Sequence, residues 1–396
     1  MEHKTRIKGN VHYVGVNDRN KHRFEGMWPL PYGVSYNSYL IDDEMVALVD
    51  TVDICYFEVY LRKIKQVIGE RPINYLIINH MEPDHSGSIR LIKQHYPEII
   101  IVGNKQTFGM IEGFYGVTGE QYLVKEGDFL ALGHHKLRFY MTPMVHWPET
   151  MMTFDETDGV LFSGDGFGCF GTVDGGFLDT RINVDKYWGE MVRYYSNIVG
   201  KYGSPVQKAL QKLGGLPISA ICSTHGPVWT ENIAKVIGIY DRLSRYDADE
   251  GVVIAYGSMY GNTEQMAEAI AEELSAQGVK NIVMHNVTKS HPSYIIADIF
   301  RYKGLIIGSP TYSNQIFPEV EALLSKILLR EVKGRYLGYF GSFTWAGAAV
   351  KRLAEFAEKS KFELVGDPVE MKQAMKDLTY TQCENLARAM ADRLKK

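Results

Sequence analysis

The hexad His80-Met81-Glu82-Pro83-Asp84-His85 sets four potential metal ligands within six residues, directly after the apolar run Tyr75-Leu76-Ile77-Ile78. Crowding imidazole and carboxylate into one short loop is costly unless something cationic neutralises them, and metal ions do so. Three further potential ligands follow strand-like runs downstream. His146 comes after Leu137-Arg138-Phe139-Tyr140-Met141, Asp165 after Val160-Leu161-Phe162-Ser163-Gly164, and His225 after Ile218-Ser219-Ala220-Ile221-Cys222-Ser223. With the hexad they make four His, two Asp and one Glu. Two metals about 3.5–4 Å apart, sharing one bridging carboxylate, would use all seven and keep open positions for a substrate.

A second constellation lies in the last third of the chain. The apolar Val252-Val253-Ile254-Ala255-Tyr256 is followed by Gly257-Ser258-Met259-Tyr260-Gly261-Asn262-Thr263, after which Met266, Ala267, Ile270 and Leu274 fall on one helical stripe that ends before Gly278. The pattern predicts a helix with Thr263 as N-cap. A strand, a hydroxyl-rich glycine turn and a helix N-terminus together make an anion site, because backbone N–H groups and the helix dipole face the ligand. No Lys or Arg lies in this turn. A phosphate monoester such as that of FMN suits it better than a nucleoside triphosphate, whose loop requires a lysine. Ser309-Pro310-Thr311-Tyr312-Ser313-Asn314 and Ser342-Phe343-Thr344-Trp345-Ala346-Gly347 each combine small residues with one aromatic able to cover a flavin ring. The runs at 282–284, 305–308, 336–340 and 362–365 alternate with helical stretches. That alternation implies a doubly wound parallel sheet with its ligand at the carboxyl ends of the strands.

A chain of 396 residues is too long for one core. The charged stretch from Ser244 to Gly251 divides it into residues 1–248 and 249–396. A net charge of −4 with interspersed signs argues against a nucleic-acid partner. The first residues lack an apolar leader and no apolar run reaches membrane length, so a cytoplasmic protein away from membranes is expected. Cys55, Cys169, Cys222 and Cys383 are single, which gives neither a Cys-x-x-Cys module nor a disulfide framework. Cys169 and Cys222, near Asp165 and His225 in sequence, are read as small buried residues. His3, His12, His22, His95, His134, His135, His285 and His291 lack comparable partners and are read as surface residues.

The pattern His-x-x-x-Asp-His followed by His, Asp and His resembles the metallo-β-lactamase fold, an αββα sandwich. Zinc hydrolases of that fold usually carry His at the third hexad position, where this chain has Glu82. The carboxylate makes the site harder and richer in oxygen, which suits iron. The second module resembles flavodoxin, with Ser258, Met259, Tyr260, Gly261, Asn262 and Thr263 matching its phosphate loop. Pro310, Thr311, Tyr312, Asn314, Ser342, Thr344, Trp345 and Gly347 match its flavin-flanking loops. Both halves together resemble the flavodiiron proteins over nearly the whole chain. The resemblance implies FMN and a non-haem diiron site, with His80, Glu82 and His146 on one iron, Asp84, His85 and His225 on the other, and Asp165 between them.

The resemblance also implies reduction of dioxygen to water, of nitric oxide to nitrous oxide, or of both. Tyr195 and Trp147 are candidates to line the substrate pocket. A head-to-tail homodimer, or a pair of such dimers, would bring the flavin of one subunit beside the irons of the other. No paired Cys follows residue 390, so electrons are expected from a separate rubredoxin-type or other small donor. The rival is a zinc hydrolase with a regulatory flavodoxin-like domain, against which Glu82 argues.

Overall fold

The structure is a computed structural model and describes residues 4–395. The chain forms two compact units, Met1–Tyr195 with Tyr202–Ser244, and Ser196–Lys201 with Arg245–Lys396.

The first unit is built on two large sheets, with two small two-stranded ones between residues 16 and 36. One has seven strands in the order Arg6–Lys8, Val11–Tyr13, Tyr39–Ile41, Ala47–Val49, Tyr75–Ile77, Ile100–Gly103, Gln121–Leu123. Its early strands pair antiparallel and the run from Ala47–Val49 onward is parallel. The other has five strands, Phe129–Ala131, Lys136–Met141, Met151–Asp155, Val160–Gly164 and Ala220–Ser223. Side chains two residues apart share a face of a strand. Tyr39 and Ile41, Ala47 and Val49 from one sheet therefore meet Leu137 and Phe139, Val160 and Phe162, Ala220 and Cys222 from the other in one core. Helix Phe57–Ile68 buries Phe57, Tyr60, Ile64 and Ile68, a single stripe at helical spacing. Helix Lys105–Tyr115 starts at Asn104, whose side chain accepts from the N–H groups of Gln106 and Thr107, and stops at Gly116 with φ 61°. The layered α/β fold expected from the sequence is present.

The second unit is a parallel sheet in the order Ile282–Asn286, Asp249–Tyr256, Tyr302–Tyr312, Tyr336–Phe343, with Glu363–Leu364 and Val369–Lys372 sharing the last position. The first strand of the module lies second in this order, so the strand order reverses there, and the ligand crevice of such a sheet lies at that reversal. Helix Asn262–Ala276 buries Met266, Ala267, Ile270 and Leu274, the stripe read from the sequence. Its start differs. Gly261, at φ 89°, is the N-cap, while Thr263 is already in the first turn and its hydroxyl bonds the Ser342 hydroxyl at 2.8 Å. A glycine free to take a left-handed conformation starts the helix two residues earlier than the hydroxyl signal suggests.

Several histidines also depart from expectation. His12, His135 and His285 are buried, each beside a polar partner: Thr5 Oγ1 at 3.0 Å, Asp155 at 2.9 Å and Asp298 at 2.8 Å. Those partners stand on other elements of the fold, invisible to a local reading. His22, His95 and His134 are exposed, His291 is half-buried, and His3 lies outside the described residues. Cys169 and Cys222 are buried as expected.

Candidate metal centre and flavin cleft

All seven predicted ligands converge at the carboxyl ends of the strands of the first unit. The loop after Tyr75–Ile77 is pinned from below by Asp50, a buried residue at φ 53°. Its carboxylate accepts from Asn79 N at 2.8 Å, Asn79 Nδ2 at 3.0 Å and His80 N at 3.4 Å. Asn79 in turn accepts from Thr153 Oγ1 at 2.8 Å. Pro83 opens a single helical turn, Pro83–Ser86, which turns Asp84 and His85 inward.

Asp165 divides the group in two. One of its oxygens lies 3.1 Å from His146 Nε2 and 3.7 Å from His80 Nε2; the other lies 3.1 Å from His85 Nε2 and 3.7 Å from His225 Nε2. Glu82 sits 3.1 Å from His146, and Asp84 is 3.3 Å from His225 and 3.5 Å from His85. The result is two ligand sets, His80, Glu82, His146 and Asp84, His85, His225, on opposite oxygens of one carboxylate.

The outer atoms of the imidazoles are held by groups that sequence reasoning missed. Glu149 faces His80 Nδ1 at 2.6 Å and accepts from Met81 N at 2.9 Å. The Ser35 carbonyl faces His225 Nδ1 at 2.8 Å, and Thr224 Oγ1 donates to Asp165. Glu149 comes three residues after His146 and has no motif of its own. The one local signal beside it is the apolar stretch of the Met151–Asp155 strand that follows. Its backbone is fixed by Asn104, the helix cap, whose amide donates to the Glu149 carbonyl at 2.6 Å. With Nδ1 occupied, Nε2 of His80 and of His225 points into the centre.

Those inward atoms lack partners. His80 Nε2, both carboxylate oxygens of Asp84, His85 Nε2 and His225 Nε2 are buried without a hydrogen bond. Orphaned lone pairs of this kind cost about 1–3 kcal/mol each, more when charged. Their convergence from two sides of Asp165 fits a pair of hard cations with mixed nitrogen and oxygen ligands. The charge balance agrees. Burial opposes ionisation of Asp165 and Glu82, yet the surrounding imidazoles hold both carboxyls below their usual range, while burial raises that of Asp84. Burial would lower the His85 pKa, but the carboxylates of Asp84 and Asp165 push it up to about 10, and His146 is likewise raised.

A cavity of about 640 Å³ opens onto Glu82 and Asp84 and is rimmed by Lys21, Phe24, Arg90, Phe114 and Tyr115. Trp147 packs edge-on against His80, with centroids 5.3 Å apart. Tyr195 packs on Tyr240 at 5.0 Å, and it is its neighbour Tyr194 that stands beside His225, at 5.8 Å.

In the second unit a cleft of about 370 Å³ lies at the carboxyl ends of the strands. Every predicted flavin-loop residue lines it except Gly261 and Gly347, and Ser313, Phe343, Ala346 and Gln373 join them. Gly347 leaves room for Glu370, whose carboxylate oxygen would stand 2.6 Å from an added Cβ. Ser313 and Asn314, both at positive φ, make the tight turn that returns Thr311–Tyr312 onto Gln315–Ile316. Tyr260 and Trp345 are almost fully exposed at 90% and 84%. Large aromatics so exposed beside a cleft are suited to cover a flat ring. Ser258 Oγ accepts from Gly261 N at 3.2 Å, which orders the turn for a phosphate. Among the described residues, no basic side chain lines this cleft.

Comparison with known proteins matches residues 34–226 to the ODP family beta lactamase model and residues 254–385 to flavodoxin. The chain is 32% identical to the anaerobic nitric oxide reductase flavorubredoxin of Vibrio vulnificus, over 90% of this chain and 73% of that protein. Among solved structures, rubredoxin oxygen:oxidoreductase from Desulfovibrio gigas superposes with a TM-score of 0.95 at 31% identity, covering 99% of this chain and 98% of that one. The flavodiiron protein of Giardia intestinalis gives 0.92 at 27% identity, covering 98% and 95%.

Proposed function

The chain belongs to the flavodiiron proteins, oxidoreductases that carry FMN and a non-haem diiron site, and on that premise we propose that it reduces dioxygen to water with electrons from a rubredoxin-type donor. The observation that carries this reading is the split of the unpartnered ligand atoms across Asp165. His80, Glu82 and His146 would hold one iron, Asp84, His85 and His225 the other, and Asp165 would bridge. When bound, the irons supply electrons and an open coordination face for a diatomic, and FMN accepts electrons in pairs and passes them on singly. The protein's own residues do the rest. Glu149 and the Ser35 carbonyl fix the tautomers of His80 and His225. Trp147 and Tyr194 wall the centre beside the imidazoles.

Nitric oxide is the second substrate reading, favoured by the name of the Vibrio vulnificus relative. Both diatomics would approach through the cavity above Glu82 and Asp84. The flavin would lie between Tyr260, Tyr312 and Trp345 with its phosphate on the turn Ser258–Thr263. The division into residues 1–248 for iron and 249–396 for flavin, the head-to-tail homodimer and a cytoplasmic location belong to the same proposal. Among the described residues, no helix is long and apolar enough to cross a membrane. Parallel anaerobic turnover of the reduced protein with dioxygen and with nitric oxide tests it. Faster consumption of dioxygen is expected; turnover of neither gas, or zinc-dependent hydrolysis in its place, overturns it.

A further inference from the structure

Aromatic side chains linked through Gly168 and Phe167 lead from the metal centre to the half-buried Trp188 of the first unit. Tyr194 lies 5.8 Å from His225, and its ring also flanks Gly168, 3.5 Å from where a Cβ would stand. Tyr240 donates its hydroxyl to the Gly168 carbonyl at 3.2 Å and packs against Phe167 at 4.9 Å. Trp229 donates its indole N–H to the Phe167 carbonyl at 3.3 Å and stacks on Trp188 at 5.1 Å with planes 23° apart. Tyr194, Tyr240 and Trp229 are buried, whereas Trp188 is half-buried and capped by the ammonium of Lys235, 3.6 Å above its ring. Tyrosine and tryptophan are the side chains whose rings can lose one electron most readily. Tunnelling falls steeply with distance, so several short steps outrun one long one.

We propose that Tyr194, Tyr240, Trp229 and Trp188 form a relay that carries oxidising equivalents from the metal centre to solvent when donor electrons run short. The proposal rests on the dioxygen-reducing reading above, because an oxidant stranded at the centre without electrons is what the relay removes. One electron moves inward along the relay and reduces the centre by one equivalent. Trp188 is left oxidised and gives its indole proton to solvent. The neutral ring radical then takes one electron and one proton from a soluble thiol, which is itself oxidised. The Lys235 ammonium repels positive charge developing on Trp188, so it sets how readily the outermost ring is oxidised.

The test uses full-length protein loaded with iron and FMN, given limiting reductant and excess dioxygen without thiol. Freeze-quench electron paramagnetic resonance and peptide mass mapping read the radical and the oxidised residues. The wild type should show a tryptophan radical and oxidation centred on Trp188. Trp188→Phe should shift oxidation inward to Tyr194 and the ligand histidines and speed inactivation several-fold under limiting donor, with turnover under ample donor unchanged. Lys235→Gln, a surface change, should raise the oxidised fraction of Trp188. An identical oxidation map in all three proteins, or an untouched Trp188 in a wild type that consumes dioxygen, overturns the relay alone. A wild type that consumes no dioxygen overturns the functional reading and the relay with it.

Discussion

At the scale of single residues, Asp165 and His85 make unequal contributions. Asp165 stands 3.1 Å from an imidazole of each ligand set, whereas His85 belongs to one set and its Nδ1 has no hydrogen-bond partner to orient the ring. Asp165→Ala should therefore strip most iron, while His85→Ala should retain the greater part of it; iron content by elemental analysis decides. Glu149→Gln should cost about 10–100-fold in iron affinity, because an amide no longer holds the His80 tautomer as a carboxylate does. Competition titration with a chelator measures it. His135 supplies a pH test away from the metals. Burial would lower its pKa, but the hydrogen bond to Asp155, with Asp158 and Asp43 nearby, raises it. A raised folded-state value stabilises while the imidazolium is present, fully below about pH 6.5, and the gain is lost as pH rises through the folded value. The stability gap between wild type and His135→Asn in urea should be wider at low than at high pH. The ligands themselves were legible because seven chemistry-bearing residues fell in strand-end positions. Glu149, Asp50, Ser35 and Tyr194 were not, since each acts through a partner distant in sequence.

At the scale of elements, the turn from Gly257 to Thr263 should decide flavin retention. Ser258 accepts from Gly261 N and, at 3.4 Å, from Glu264 N, while Thr263 joins the first turn to Ser342 in the neighbouring loop. With no basic side chain among the described residues lining the cleft to compensate, Ser258→Ala with Thr263→Ala should weaken FMN binding about tenfold or more, a hydrogen bond to a charged group being worth about 1.5–3 kcal/mol. The iron site should stay loaded; a double variant with ordinary flavin affinity would show that the phosphate sits elsewhere. The central strands of this unit were legible as apolar runs because both of their faces are covered. Val369–Lys372 was not, for its burial alternates and only one residue in two is apolar. The helix start was misplaced by two residues because the Thr263 hydroxyl turns to Ser342, a tertiary partner that no local capping rule contains.

At the scale of the whole molecule, the two compact units divide the chemistry between metal and flavin, but the chain does not divide cleanly. The strap Ser196–Lys201 belongs with the second unit, where Asn197 donates to the Ser293 carbonyl at 3.0 Å and accepts from Arg330 at 3.0 Å. It directly continues helix Asp185–Tyr194, which carries Tyr194. A protein ending at Ser244 should fold, since a unit of this size buries its own core, and should bind iron. Freed of the strap's partners, its Tyr194 helix should exchange amide protons faster than in the full chain. The central claim is that flavin is the obligatory path by which electrons reach a diiron centre that reduces dioxygen. Its most direct test is stopped-flow dioxygen consumption, with a rubredoxin-type donor, by the full-length protein with and without FMN at equal iron content. Consumption that is fast with FMN and nearly abolished without it is the predicted result; equal rates in the two would contradict the account.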